Sequence, residues 1–239
     1  MASWSNLSAE RARPLSKCPT PTSRLPSAIA CASTFAQKVH DASDAMRKEL
    51  FAGRSWTLGV NMLSCMSSGG LVRRARHDGL RDFAAGYHQR TTGLVTQTEQ
   101  RVVAWDRVNP RTGLLEEARL DVATRDALTG RLVFVDVTVT CAYSGYEPRQ
   151  RGRARKDGLA VVTAVNGKRR RYPPSGGELI PMAWEDGGRP AEETVTYVRS
   201  WAHSFPPGER SEVIRYAWQQ LSCLLQTGNA EMILSAVGF

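Results

Sequence analysis

The sequence lacks several features that would assign it to a common class of protein. No apolar run among its 239 residues has membrane-spanning length, and the N-terminus has no apolar segment of signal-peptide type. The five cysteines are odd in number and widely spaced, without a CxxC pair, so the sequence predicts no disulfide framework. GxSxG and GxxxxGK[ST] are also absent, which argues against a serine hydrolase and a P-loop ATPase. We therefore expect a soluble intracellular protein with reduced thiols.

Acidic residues are scarce relative to basic ones. The chain has 32 Lys and Arg against 23 Asp and Glu, giving a formal charge of +9 and a pI of about 9.7. Such an excess favours a polyanionic partner, of which nucleic acid and an anionic membrane surface are the main kinds. The largest local excess is a set of nine basic residues around a single acid, Asp157: Arg149, Arg151, Arg153, Arg155, Lys156, Lys168, Arg169, Arg170 and Arg171. A solvated helix face is the alternative interpretation of this set.

Composition divides the chain into three parts. Residues 1–32 are rich in Ser, Pro, Ala and Arg and predict a disordered basic leader. Residues 33–70 predict a helical extension, and residues 71–239 predict one folded domain.

The folded part shows a characteristic order of elements. A helix is predicted first, then three strands, a basic helix, and a fourth strand whose proline suggests an edge position. Further helices complete the chain, and the last long one carries an apolar stripe typical of core packing. The predicted ranges are helix 71–90, strands 93–106, 114–123 and 131–140, helix 153–171 with Leu159, Val162 and Val165 inward, strand 178–184, and helices 191–203, 208–227 and 230–237. This αβββαβ order predicts an α+β fold around a mixed four-stranded sheet.

Two aspartates stand on the second and third predicted strands. Asp136 lies within an apolar run, where a carboxylate is unfavourable unless a cation accompanies it. With Asp121 on the adjacent strand, the pair suggests a hard divalent cation such as Mg²⁺. The alternative is that both carboxylates close turns or pair with arginines.

The order of elements and these acids resemble the restriction-endonuclease-like fold of PD-(D/E)XK nucleases. The detail is similar to the endonuclease domain of site-specific non-LTR retrotransposon polyproteins. The resemblance spans roughly residues 64–184. It is carried by Arg76-His77, Leu120-Asp121, Asp136-Val137-Thr138-Val139 and Lys168-Arg169-Arg170-Arg171-Tyr172. Thr138 occupies the position where most such nucleases have lysine, and the Lys/Arg-Tyr motif on the following helix resembles its replacement.

This resemblance implies a Mg²⁺-dependent DNA endonuclease, with Mn²⁺ as a substitute metal, acting in the nucleus. Asp121, Asp136 and the carbonyl of Val137 would bind the metal. Glu99 would be a third acid, unless it is an ordinary exposed strand residue. Lys168 would assist the reaction, with Arg171 as the second choice. The DNA contacts would come from Arg76, His77, Arg149, Arg151, Arg153, Arg155, Arg169, Arg170 and Tyr172, the last of which we expect mainly to pack. RNA or an RNA–DNA hybrid presents the same phosphates.

The sequence also departs from that family. Leu120 replaces the usual proline, and Cys65 has no set of partners near it, so at most a degenerate zinc-knuckle remnant is expected in 33–70, without zinc. The 239 residues do not include the reverse transcriptase that lies upstream in that family, so we expect a fragment or a domesticated remnant. Two other functions therefore stay open. One is a decayed nuclease fold that binds nucleic acid without cutting it, and the other is an interaction protein that docks a partner on its C-terminal helical stripe.

Overall fold

A computed structural model describes residues 70–142, 156–174 and 177–236. Within these ranges the chain forms four α-helices and a mixed four-stranded sheet, which confirms the α+β class and the C-terminal helices. The helices are α1 Gly70–Thr92, α2 Leu159–Arg171, α3 Glu192–Ser200 and α4 Pro207–Ala236. The strands are β1 Gln97–Arg101, β2 Arg107–Val108, β3 Leu115–Glu116, β4 Arg119–Arg125, β5 Leu132–Thr140 and β6 Glu178–Glu185.

The main sheet has the strand order β1-β4-β5-β6. β4 runs antiparallel to β1 and β5, and β5 and β6 are parallel with α2 between them in the chain. Two antiparallel neighbours can be joined by a tight turn, whereas a parallel pair needs a longer crossover. The proline-containing strand β6 lies at the edge, as predicted.

Helices cover both faces of this sheet. On one face, Val122, Val135 and Met182 pack under α1, α3 and α4 in the larger core cluster. On the other face, α2 buries Val161 and Val165 against Ala183. The central strands β4 and β5 are therefore buried on both sides, which explains the apolar run Leu132–Val135 in β5 and the burial of Leu120, Val122 and Ala123 in β4.

Two of the predicted strands are each divided in the structure. The predicted strand 93–106 becomes β1, a 3₁₀ turn at Val103–Trp105, and the approach to a small separate hairpin of β2 and β3. The hairpin also takes the first part of the predicted strand 114–123. The division follows from Trp105, whose buried indole donates a hydrogen bond to the Pro173 carbonyl at 2.6 Å. This tertiary contact outweighs the local preference of β-branched residues for an extended backbone.

Two details of the helices also differ from expectation. Val165 is buried as predicted, but Val162 is 52% exposed, and Val161 is buried in its place on the inner face of α2. The predicted helices 208–227 and 230–237 are one continuous helix, α4. In the described ranges no helix has the length and apolar character needed to cross a membrane.

Candidate active site

Asp121 lies where strands β4 and β5 separate. The backbone pairing of β4 with β5 runs from Arg125 only as far as Val122. Beyond that point the buried Asp121 side chain bonds to β5 in place of the β4 backbone. Its Oδ2 accepts a hydrogen bond of 2.5 Å from the backbone N–H of Val137. The carboxylate thus satisfies a strand amide that has no partner on β4 there. The gap between the two strands places this acid beside Asp136.

Asp136 is buried on β5 and faces helix α2. The Nζ of Lys168, in the last turn of α2, lies 2.8 Å from its Oδ2 in an ion pair. Burial raises the pKa of Asp136 to about 6, Lys168 opposes the rise, and the neighbouring Asp121 carboxylate adds to it. Two neighbouring acids in such a buried place create a local demand for positive charge.

Asp121 is also contacted by His77 of helix α1. Its Nε2 lies 3.1 Å from Asp121 Oδ2, and its Nδ1 lies 3.3 Å from Asp78 Oδ1. The hydrogen bond to Asp121 raises the pKa of His77 above its ordinary value, against partial burial, and Asp78 contributes to the rise. An imidazole held between two carboxylates donates from both nitrogens when it is protonated.

The end of α2 is fixed by a cluster around Trp105. Arg171 donates a hydrogen bond of 2.7 Å to the Trp105 carbonyl, and the Tyr172 ring packs 5.3 Å from the indole. Arg171 also lies over the Tyr172 ring, 5.1 Å from its centroid. These contacts hold the last turn of α2, and with it Lys168, against β5. The structure therefore gives Arg171 and Tyr172 a packing role beside the acids.

Glu99 does not join the two aspartates. It lies in β1 between the residues paired with Val122 and Leu120, hence alongside Asp121. Its carboxylate nevertheless turns outward, is about half exposed, and forms an ion pair with Arg81 of α1. Its φ of 55° is unusual for a residue other than glycine, so the backbone of β1 is distorted at this point.

The predicted DNA contacts occupy varied positions. Arg76 is only 5% exposed and binds the Asn229 side chain at 2.5 Å, so it ties α1 to α4 and does not face solvent. Arg169 pairs with Glu193 at 2.6 Å, and Arg170 is exposed. The remaining predicted arginine contacts lie outside the described residues: Arg149, Arg151, Arg153 and Arg155.

Sequence reasoning missed two roles. It assigned His77 to phosphate, although this residue shares a helix face with Leu80 and Ala84, a spacing that predicts an inward side chain. It considered only the carbonyl of Val137, whereas the structure uses the amide of that residue. No local signal in the sequence indicates whether the carbonyl or the amide of Val137 takes part.

The two aspartates fit a hard divalent cation in kind. They supply carboxylate oxygens, the ligands that Mg²⁺ and Mn²⁺ prefer, and the donors described above contact Oδ2 of each. Within residues 70–142, 156–174 and 177–236, no three His, Cys, Asp or Glu side chains form a group that could hold a metal ion. A cation here would therefore depend on two carboxylates, backbone oxygen and water.

No protein-family model matches the sequence, and a comparison with curated proteins found no match.

Proposed function

We propose that this chain is a metal-dependent endonuclease domain of the restriction-endonuclease-like type, acting on DNA. The observation that carries the proposal is the meeting of Asp121, Asp136 and Lys168 at the point where β4 and β5 separate. The three come from two strands and a helix, and a site of this type requires such a contact between strands and helix. A buried acid with a raised pKa, as Asp136 has, beside a lysine and a second carboxylate is typical of a functional site.

The residues divide the work of phosphodiester hydrolysis. A bound Mg²⁺ or Mn²⁺ supplies Lewis acidity, which makes water a better nucleophile and offsets charge on the phosphate. Asp121 and Asp136 would hold this ion through their carboxylates. Lys168 would donate to the water or to a phosphate oxygen as negative charge builds up. Water would add to phosphorus and lose a proton to the solvent, the P–O bond to the leaving sugar oxygen would break, and that oxygen would take a proton from the solvent.

Basic residues near the last turn of α2 would bind the DNA backbone. Arg170 is exposed there, and Arg169 is more than half exposed although it pairs with Glu193. Arginines at such positions contact phosphates and give affinity with little dependence on sequence. RNA or an RNA–DNA hybrid would bind the same arginines through its phosphates. If the target is chromosomal DNA, the protein acts in the nucleus.

A plasmid-nicking assay with Mg²⁺ or Mn²⁺ tests the proposal. The wild type should convert supercoiled DNA to open circles, and Asp136→Ala, Asp121→Ala and Lys168→Met should each reduce the rate at least about a hundredfold, the usual scale for one electrostatic group of a site. Asp157→Ala is the matched control, because its carboxylate is 90% exposed on the turn before α2. Equal nicking by wild type and Asp136→Ala would refute the assignment.

One observation favours a second candidate, a nucleic-acid-binding module with a decayed centre. Lys168 already pairs with Asp136, and Arg81 already pairs with Glu99, so a basic side chain balances the charge of each of these two acids. Calorimetric titration of Mn²⁺ separates the two functions. A nuclease should bind the ion and lose binding in Asp121→Ala, whereas a decayed module should retain DNA affinity and show no heat of Mn²⁺ binding.

A further inference from the structure

His77 has contacts that the proposed reaction does not use. Its ring is about one-third exposed, and it contacts Asp121 through one nitrogen and Asp78 through the other. Asp78 is itself held by Arg81 at 2.9 Å within α1. A chain of polar contacts thus runs from the surface of α1 to the buried carboxylate.

The contact of His77 determines how the Asp121 carboxylate is presented. Oδ2 of Asp121 accepts two hydrogen bonds, from His77 Nε2 and from the N–H of Val137. The two donors come from different elements, α1 and β5, so together they restrict rotation of the carboxylate about its last bond. Because Oδ2 is engaged by both donors, Oδ1 would be the oxygen available to a cation. The Val137 amide alone would leave the carboxylate free to exchange its two oxygens.

We propose that His77 is a positioning residue, which fixes the Asp121 carboxylate so that Oδ1 faces the metal. The inference rests on the proposed function and deepens it. His77 would act through Asp121, in the way that partners of metal ligands commonly orient them. It need not touch DNA. This distinguishes the inference from a phosphate contact, in which His77 would influence DNA affinity and leave metal affinity unchanged.

Mn²⁺ affinity measured without DNA tests this role. Titration of the full chain with MnCl₂, followed by calorimetry or by the free Mn²⁺ electron-paramagnetic-resonance signal, should show His77→Ala at least about tenfold weaker than wild type. His77→Gln should lie within about threefold of wild type, because its amide nitrogen can donate to Oδ2. Arg74→Ala is the matched control, since it removes an exposed positive charge from the same helix without touching Asp121.

Two further arms keep the test decisive. Asp78→Ala removes the carboxylate that contacts His77 Nδ1, and it should weaken Mn²⁺ binding by less than His77→Ala does. This variant tests the role of His77 even if His77→Ala folds poorly. Mn²⁺ affinity that is unchanged in both His77→Ala and Asp78→Ala would overturn the positioning role alone. Absence of Mn²⁺ binding by the wild type would overturn the proposed metal site as well. Loss of DNA affinity in His77→Ala with unchanged Mn²⁺ affinity would assign the residue to phosphate.

Discussion

Asp136 carries a negative charge where burial disfavours it. Its pKa in the folded protein is about 6, above the ordinary value of 3.8, with burial as the main cause. Between these values the folded state holds the proton more tightly than the unfolded state. Folding stability therefore falls as the pH rises through this window. A residue that the fold tolerates at such a cost is expected to serve the site.

We expect Asp136→Asn to be more stable than the wild type at neutral pH. The rise in pKa from 3.8 to about 6 corresponds to a penalty on the order of 3 kcal/mol for the charged form. Asparagine removes this penalty, and Lys168, about one-third exposed, can turn to water. Urea unfolding should show the advantage of the variant growing as the pH rises from 3.8 through about 6. An advantage that is constant over this range would contradict the assignment.

His88 gives a second pH dependence, of opposite sign. It is 1% exposed in the core, stacks on Tyr197, and contacts the Arg125 carbonyl. Burial lowers the pKa of His88 below 6.5. Its contribution to stability is therefore present above pH 6.5 and is lost as the pH falls toward the folded value.

We expect acid sensitivity below pH 6.5 to depend on His88. The variant His88→Phe keeps a ring against Tyr197 but cannot titrate, so its stability should change less than that of the wild type as the pH falls below this value. The slope of the unfolding free energy against pH is the quantity to compare. The absolute stability of the variant is expected to be lower, since the Arg125 carbonyl loses a donor.

At the scale of elements, the contact between α1 and α4 depends on a glycine. The Arg76 side chain of α1 lies against Gly228 of α4 and donates a hydrogen bond to Asn229 Oδ1. Asn229 Nδ2 in turn donates to the Asp186 carbonyl at 2.7 Å. A Cβ built on Gly228 would lie 2.6 Å from Cβ of Arg76. That neighbouring atom is fixed by its own backbone, so it cannot move aside as the end of a flexible side chain can.

Gly228→Ala should destabilise the protein by about 1–3 kcal/mol, the usual scale for overpacking a buried contact. The matched control is Gly167→Ala in α2, where an added Cβ meets nothing within 4 Å. Alanine in a helix interior should there stabilise by about 0.5–1 kcal/mol. Thermal or urea unfolding of the two variants compares them directly. A tolerated alanine at residue 228 would mean that the helices separate easily, against the packing described.

At the scale of the whole molecule, the layers separate two tasks. α1, α3 and α4 form the larger core on one face of the sheet, whereas α2 covers the other face and brings Lys168 to the acids. The chain as a whole carries a formal charge of +9, which favours binding of a polyanion. We expect DNA affinity to fall steeply with salt.

Arg170→Ala should reduce the salt dependence of DNA binding. Each phosphate contact contributes about 0.9 to the slope of log affinity against log salt concentration, so loss of one contact should lower the slope by about that amount. The comparison is Arg215→Ala on α4, also exposed but paired with Glu212 and carried by the opposite layer. Fluorescence anisotropy over a range of salt from about 50 to about 200 mM measures both slopes. Equal slopes for the two variants would place the DNA elsewhere.

Much of the fold could be predicted because its signals are local. The sequence shows the apolar run of β5, the helical spacing of Leu80, Ala84 and Tyr87, and the proline that marks β6 as an edge strand. The divided strands could not be predicted, since the 3₁₀ turn at Trp105 depends on Pro173, 68 residues later in the chain.

The sequence by itself determined the order αβββαβ, the two acids on neighbouring strands, and the basic character of α2, because these follow from composition and periodicity along the chain. Only the tertiary structure decided which groups meet. It brought Lys168 to Asp136, His77 to Asp121, turned Glu99 out to Arg81, and buried Arg76 against Asn229. The physical reason is that a side chain's partner, as far as 153 residues away along the chain, depends on how the layers pack, and no local pattern encodes that pairing.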